Sequence, residues 1–222
     1  MSNLFSRIAI GTANFGKEYN GHKVSKKDVD KILGYAQSSG IDTLDCATAY
    51  GWDWTQVNSY FNIILKIRAG EQKQYEDDDR VELMAHSWED YEKIDDVYLN
   101  SVSLYEPEWG LESHDIGINL AVAQIPYSLY DRRFEHWMER AFCDEYTKTE
   151  IHVRSIFLRG KIIEDGIPAE ECLKFVLCNP YVDKVILGVD SIEQLQRNLD
   201  FIHRWSNMKK SDEQLLDPRK WT

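Results

Sequence analysis

The chain has 222 residues, 43% hydrophobic and 29% charged, with a formal net charge of -12. This composition excludes a disordered or fibrous chain, and the length suffices for one well-buried core. The acidic balance argues against nucleic acid as a partner, because the basic pairs Lys26-Lys27, Arg132-Arg133 and Lys209-Lys210 are isolated and form no patch that would offset repulsion from phosphates.

The opening "MSNLFSRIAI" has no long apolar segment, and no later stretch approaches the roughly 20 apolar residues that span a bilayer. A cytoplasmic protein without a membrane partner is expected. In chain order, "RIAIGT" (7–12) reads as a first strand, followed by a helix that Ser25 caps and Gly40 ends, with Val29, Ile32, Leu33 and Ala36 on one face. "IDTLDCA" (41–47) and "NIILKI" (62–67) read as the next two strands. The polar segment "EQKQYEDDDR" (71–80) has no apolar stripe, and its consecutive acids at 76–79 oppose a helix. "VELMAHS" (81–87) and "VYLNSVSLY" (97–105) are the fourth and fifth strands. "WEDYEKIDD" (88–96) and "EPEWGLESHD" (106–115) offer at most a turn or two of helix. "LAVAQIPY" (120–127), "EIHVRSIFL" (150–158) and "DKVILGV" (183–189) complete eight strands, with helices expected over 132–146, 169–177 and 192–205.

Most of these strands are rich in Val, Ile and Leu without strict alternation, the pattern of parallel strands covered on both faces. Eight in βα alternation predict an α/β fold, a (β/α)8 TIM barrel, with an open doubly wound sheet as the alternative. No Pro/Gly/Ser-rich linker divides the chain, so one domain over residues 1–222 is expected. A complete barrel takes about 250 residues, so this one must be trimmed, with short or missing helices after strands 3 to 5. Only 19 residues separate Lys66 from His86. Strand faces left bare there could be covered by compact loops, by the tryptophans of the βα segments (Trp52, Trp54, Trp88, Trp109) or by a second subunit in a homodimer.

In such a barrel the chemistry sits at the carboxyl ends of the strands. Asp45 lies toward the end of the second strand, Tyr50 in the loop after it, Lys66 near the end of the third and His86 at the end of the fourth. The four cysteines include no C-x-x-C pair and read as reduced thiols. The six histidines include no H-x-H or H-x-x-x-H pair, which argues against a metal-dependent hydrolase.

With these positions placed, the sequence resembles the aldo-keto reductase family. Asp45, Ala47, Tyr50 and Gly51 match its D-x-A-x-x-Y-G, and Lys66 and His86 match its strand-end lysine and histidine. "NSVSLYEP", "VAQIPYSLYDRR", "VRSIFLRG" and "VILGVDSIEQLQRNL" are similar to its later strands and loops, and the likeness runs on to "LDPRKW" near the carboxyl end. The resemblance implies an NADP-dependent carbonyl reductase or alcohol dehydrogenase acting on a small-molecule carbonyl or alcohol. Chemistry supports these residue types, since hydride reduction leaves charge on the carbonyl oxygen that a positioned acid must protonate. Tyr50 would be that acid, with Lys66 lowering its pKa, Asp45 anchoring Lys66, and His86 orienting the carbonyl.

No G-x-G-x-x-G follows the first strand, so a Rossmann site is not indicated. The resemblance instead implies an extended nicotinamide dinucleotide across the barrel mouth. Ser103 and Gln124 would hold its carboxamide, and Arg154 would lie against the ring. Gly188, Ser191, Gln194 and Asn198 would line the adenosine end, with Gly11, Thr12 and Ser155 also at the cofactor. Three features depart from common members: Leu104 after Ser103, Arg154 in place of a tyrosine, and Asp190, Ser191 and Gln194 with only Arg197 near the adenosine end. NADP(H) is the family default and NAD(H) stays open. "DCATAYG" and "RSIFLRG" are most similar to bacterial members associated with sugar or polysaccharide biosynthesis. A catalytically inactive barrel that binds a dinucleotide for regulation is the alternative reading.

Overall fold

All eight Val/Ile/Leu-rich runs form parallel strands: β1 (Ile8–Gly11), β2 (Thr43–Ala47), β3 (Asn62–Ile67), β4 (Val81–Ala85), β5 (Ser101–Ser103), β6 (Val122–Pro126), β7 (Glu150–Arg154) and β8 (Lys184–Gly188). The computed structural model describes residues 4–16, 18, 23–71, 74–75, 78–94, 99–115, 117–143 and 148–215. Part of the acidic run (76–77), the start of the expected fifth strand (97–98), His22, the end of the helix expected to reach 146, and "LDPRKW" (216–221) lie outside the described residues. The strands close in sequence order into a barrel, β8 pairing with β1 through Ile8–Val185 and Gly11–Gly188. The open sheet is thereby excluded.

Alternation along each strand divides the core in two. Ile63, Leu65 and Ile67 of β3 face outward into the main apolar cluster, while Ile64 packs with Met84 and Val122 in a separate buried cluster. That small plug fills the barrel, so the residues one layer above it are held at the carboxyl rim.

The helices are α1 (Ala13–Gly16), α2 (Lys26–Ser38), α3 (Trp88–Tyr91), α4 (Pro107–Asp115), α5 (Glu135–Cys143), α6 (Lys161–Glu164), α7 (Ala169–Cys178) and α8 (Ile192–Leu215). Ser25 caps α2 by accepting from the Asp28 N–H, and Gly40 follows it at φ 82°. The trimming expected after strands 3 to 5 is present. Among the described residues no α-helix follows β3, α3 is a single turn, and α4 has nine residues. It extends to the β2 connection as well, which holds only 3-10 turns at Thr48–Tyr50 and Trp54–Gln56. Aromatic packing covers the gaps. Trp54 and Trp88 are buried in the main cluster, Trp54 tilted against Tyr75 and Trp88 stacked on Tyr91.

The seventh strand stops at Arg154, earlier than its apolar run predicts, because Ser155 turns to φ 59°. Leu158 and Arg159 adopt the same left-handed region, at φ 46° and 57°. Three such non-glycine residues in five positions form a strained loop at the rim. At the other end of the sequence, α8 continues ten residues beyond the expected helix. No helix among the described residues is long and apolar enough to cross a membrane.

Helices α4 and α5 meet at Gly110, where an added Cβ would lie 2.8 Å or less from the Trp137 indole. Trp137 is buried and has no room to withdraw. Gly110→Ala is therefore expected to destabilise the fold by about 1–3 kcal/mol through overpacking, read as a lower urea midpoint at unchanged slope.

Candidate active site

Strands β2 and β3 run side by side with Ala47 opposite Lys66 and Asp45 opposite Ile64. Asp45 and Lys66 both point inward above the apolar plug, and the lysine stem is long enough to return its ammonium to the carboxylate. Lys66 Nζ donates to both Asp45 oxygens, at 2.8 and 2.7 Å, and to Gln124 Oε1 at 2.8 Å. Gln124 on β6 also donates from Nε2 to Asp45 Oδ1 at 2.8 Å. All three residues are buried, with 0 to 3% of their surface exposed. Burial alone would drag the lysine pKa down. The Asp45 carboxylate and Tyr50 more than offset it, and the ammonium titrates above its ordinary range.

Tyr50 closes the short turn after β2, half-buried, with its ring centroid 5.3 Å from Lys66 Nζ. The turn is held from two sides. Thr48 Oγ1 donates to Glu71 at 2.6 Å, and Gly16 of α1 presses on the Tyr50–Trp52 backbone so closely that an added Cβ would lie 2.6 Å from Trp52 N. The expectation that Lys66 lowers the phenol's pKa needs correction. Lys66 does pull it down, by charge and by a hydrogen bond, but burial is the larger influence and Tyr50 titrates above its usual range. A phenol that stays protonated at neutral pH can give a proton but does not surrender it early.

His86 is the first residue after β4, where its N–H donates to the Ile67 carbonyl at 2.9 Å. Its ring meets Tyr50 edge-on, centroids 6.2 Å apart. Burial first, then the Lys66 and Arg68 cations, depress its pKa to about 4. At neutral pH the imidazole is uncharged, and its Nδ1 is buried without a hydrogen-bond partner among the described residues. All four residues expected to converge thus share one rim. Cys46, next to Asp45, is no nucleophile, since burial pushes its thiol up to about 12.

The expected cofactor residues divide into free and committed groups. Ser103 Oγ and Arg154 Nε are buried without partners, on strands β5 and β7 of the same rim. Arg154 also donates to the Leu104 carbonyl at 3.1 Å and lies over the Tyr105 ring at 4.3 Å. Gly188 ends β8 with open space where a Cβ would stand. Unsatisfied polar atoms on β5 and β7 and an open glycine ending β8 suit a ligand that spans the rim and bears amide and phosphate groups. Others already have structural work. Gly11 pairs with Gly188 and Asp45 in the sheet. Thr12 donates from N and Oγ1 to the Asp45 carbonyl, at 3.0 and 2.9 Å. Ser191 Oγ accepts from the Gln194 N–H, and Gln194 Oε1 accepts from the Asp190 N–H, so both cap α8. Ser155 holds the left-handed turn after β7, and Asn198 is buried on α8. Sequence reasoning missed Gly16, the Thr48–Glu71 tether and the Asn14–Asp190 hydrogen bond of 2.6 Å between the β1 and β8 loops. Each joins segments far apart in the chain, and residue type alone carries no sign of it.

Comparison with protein-family models and with curated proteins returned no match. Solved structures do match. The chain has the fold of a protein described as a "putative aldo-keto reductase" from Pseudomonas aeruginosa, with a TM-score of 0.68, 19% identity and 88% of each chain covered. A second structure under the same description and from the same organism matches with a TM-score of 0.67 at equal identity and coverage. At that identity the likeness establishes a shared fold.

The depressed histidine carries a stability signature. His86 titrates near 6.5 when unfolded and at about 4 when folded, so between those values the unfolded chain binds more protons. The stability due to its neutral form is complete above about pH 6.5 and is lost as pH falls toward 4. Urea midpoints across that window should fall for the native sequence and fall measurably less for His86→Gln.

Proposed function

We propose that the protein is a nicotinamide-dependent oxidoreductase that interconverts a small aldehyde or ketone and its alcohol, with NADP(H) the expected cofactor and NAD(H) the alternative. The observation that carries this reading is a fully buried ammonium, paired with Asp45, set beside the half-buried Tyr50 phenol and facing an uncharged His86. A structural ion pair would not need a phenol and a neutral imidazole on its open side, whereas protonation of a developing alkoxide calls for both.

Tyr50 supplies the proton to the carbonyl oxygen and retrieves it in the reverse direction. Lys66 stabilises the tyrosinate left behind. Its charge opposes the burial that keeps the phenol protonated, so the two influences hold the proton on Tyr50 until the oxygen becomes basic enough to take it. His86, uncharged at working pH, donates a hydrogen bond that orients the carbonyl without competing as an acid. When bound, the nicotinamide cofactor supplies the hydride. Ser103 and Arg154, whose buried polar atoms lack partners, and Gly188 would hold it. The aromatic mouth, with Tyr105 and Trp52 partly exposed, favours a substrate with an apolar or ring face. We place the protein in the cytoplasm, where the free buried thiols Cys46 and Cys172 would stay reduced.

Cofactor oxidation against a panel of aldehydes tests the reading. Tyr50→Phe should lower kcat by about 10²- to 10⁴-fold while cofactor binding, followed by tryptophan quenching, is retained. Cofactor binding with no Tyr50-dependent turnover would instead establish the inactive, dinucleotide-binding barrel.

A second substitution probes the turn. Gly16→Ala must displace the Tyr50–Trp52 backbone, so kcat should drop by at least about tenfold while KM for the cofactor stays near the native value.

A further inference from the structure

Arg68 is the first residue after β3, and the β3–β4 ladder sets it beside His86. Ile67 is registered with Ala85, and the His86 N–H donates to the Ile67 carbonyl at 2.9 Å. The Arg68 side chain is exposed, and its guanidinium has no ion-pair or hydrogen-bond partner among the described residues. Two carboxylates of the adjoining loops are committed to other donors. Glu71 Oε2 accepts from Thr48 Oγ1 at 2.6 Å and from the Arg68 backbone N–H at 2.9 Å. Asp90 accepts from the Ala69 N–H at 3.1 Å and from Ser87 Oγ at 3.0 Å. On the other side of β4, Arg154 turns toward the β5 loop, lying over the Tyr105 ring, and it makes no ion pair among the described residues. Asp131, whose charge it feels, is bound to Arg133. Both guanidiniums act on His86, each disfavouring its protonation, with Asp90 opposing them. In a chain of net charge -12, which repels anions over most of its surface, two cations without carboxylate partners flanking this ring reverse the local sign.

We propose that the carbonyl substrate carries a carboxylate, which Arg68 binds while the carbonyl faces Tyr50 and His86. This rests on the reading of the site as one that reduces a carbonyl. Arg154 keeps its place beside the cofactor and adds its charge to the attraction. A guanidinium presents two parallel N–H donors that match the two oxygens of a carboxylate, and one without a partner gives up no existing ion pair to bind it. The phosphates of the cofactor do not account for Arg68. They belong with Gly188 and the start of α8, and β8 stands three strands from β3 in the closed barrel.

The test compares 4-carboxybenzaldehyde with benzaldehyde, which share a ring and differ in charge. The native protein should favour the carboxylate in kcat/KM by about tenfold or more at low salt, the least that a hydrogen bond between charged groups should give. That preference should shrink as ionic strength rises. Arg68→Met should lower the ratio of the two kcat/KM values by about tenfold, and Arg68→Lys, which keeps the charge, should retain most of it. Taking the ratio cancels any general damage to the site, since a merely structural role for Arg68 slows both aldehydes alike. A native protein without the preference, or a ratio that Arg68→Met leaves unmoved, overturns the proposal. A second measurement needs neither cofactor nor turnover: titration of the cofactor-free protein with 4-(hydroxymethyl)benzoate and with benzyl alcohol, followed at the His86 ring resonance. The benzoate should bind about tenfold more tightly or better, and Arg68→Met should abolish that difference; equal binding of the two overturns the proposal. If no aldehyde is reduced and the benzoate still binds through Arg68, the reductase reading fails and the anion site stands. Reduction of both aldehydes at equal efficiency has the opposite meaning.

Discussion

A lysine ammonium buried inside a barrel is the constraint on which the rest of the site depends. Removing one partner of such a pair costs about 3–5 kcal/mol, because the survivor stays charged in a place water does not reach. Lys66 therefore requires Asp45, and the two require a third group to fill the remaining hydrogen-bonding capacity, which Gln124 provides. Strands β2, β3 and β6 are tied together through this one cluster. The same charge then reaches the neighbouring rings: it favours ionisation of Tyr50 and disfavours protonation of His86. At the imidazole this cation adds to burial in keeping the ring neutral, whereas at the phenol it opposes burial and favours the anion.

Burial works against the cation at Tyr50 and with it at His86. For the phenol, desolvation penalises the anion that Lys66 favours, and desolvation is the larger influence. For the imidazole, desolvation and the nearby cations both penalise the charged form, hence a titration at about 4. For two titratable rings in edge contact, this asymmetry moves the phenol's titration up and the imidazole's down, so both are neutral at neutral pH.

Economy of helices is the other theme. The connections after β2, β3 and β4 contain at most single helical turns among the described residues, and aromatic side chains cover the strand faces that helices usually cover. Large rings bury more surface per residue than an amphipathic helix, so a short loop with one tryptophan suffices. Helices α2 and α7 both pack against α8, on the side of β1 and β8. The long regular wall therefore backs the side of the mouth where Gly188 and the capped start of α8 lie, while the short loops border Tyr50 and His86.

The sequence by itself determined the strands, because continuous Val/Ile/Leu runs bounded by polar residues have few other uses, and β3 has the expected bounds, Asn62 to Ile67. It also determined that Asp45, Tyr50, Lys66 and His86 share a rim, since strand ends in a βα alternation are brought together by topology alone. It did not reveal that Ser155 would end β7 in a left-handed turn, that Ser191 and Gln194 would cap α8, or that Gly16 would abut the Tyr50 turn, because each depends on contacts or dihedrals that residue type leaves open. Only the tertiary structure decided which influence prevails at Tyr50 and where the Gln124 amide points. Both follow from distances and burial set by strands distant in sequence, and a pKa or a hydrogen-bond partner is a property of that surrounding space.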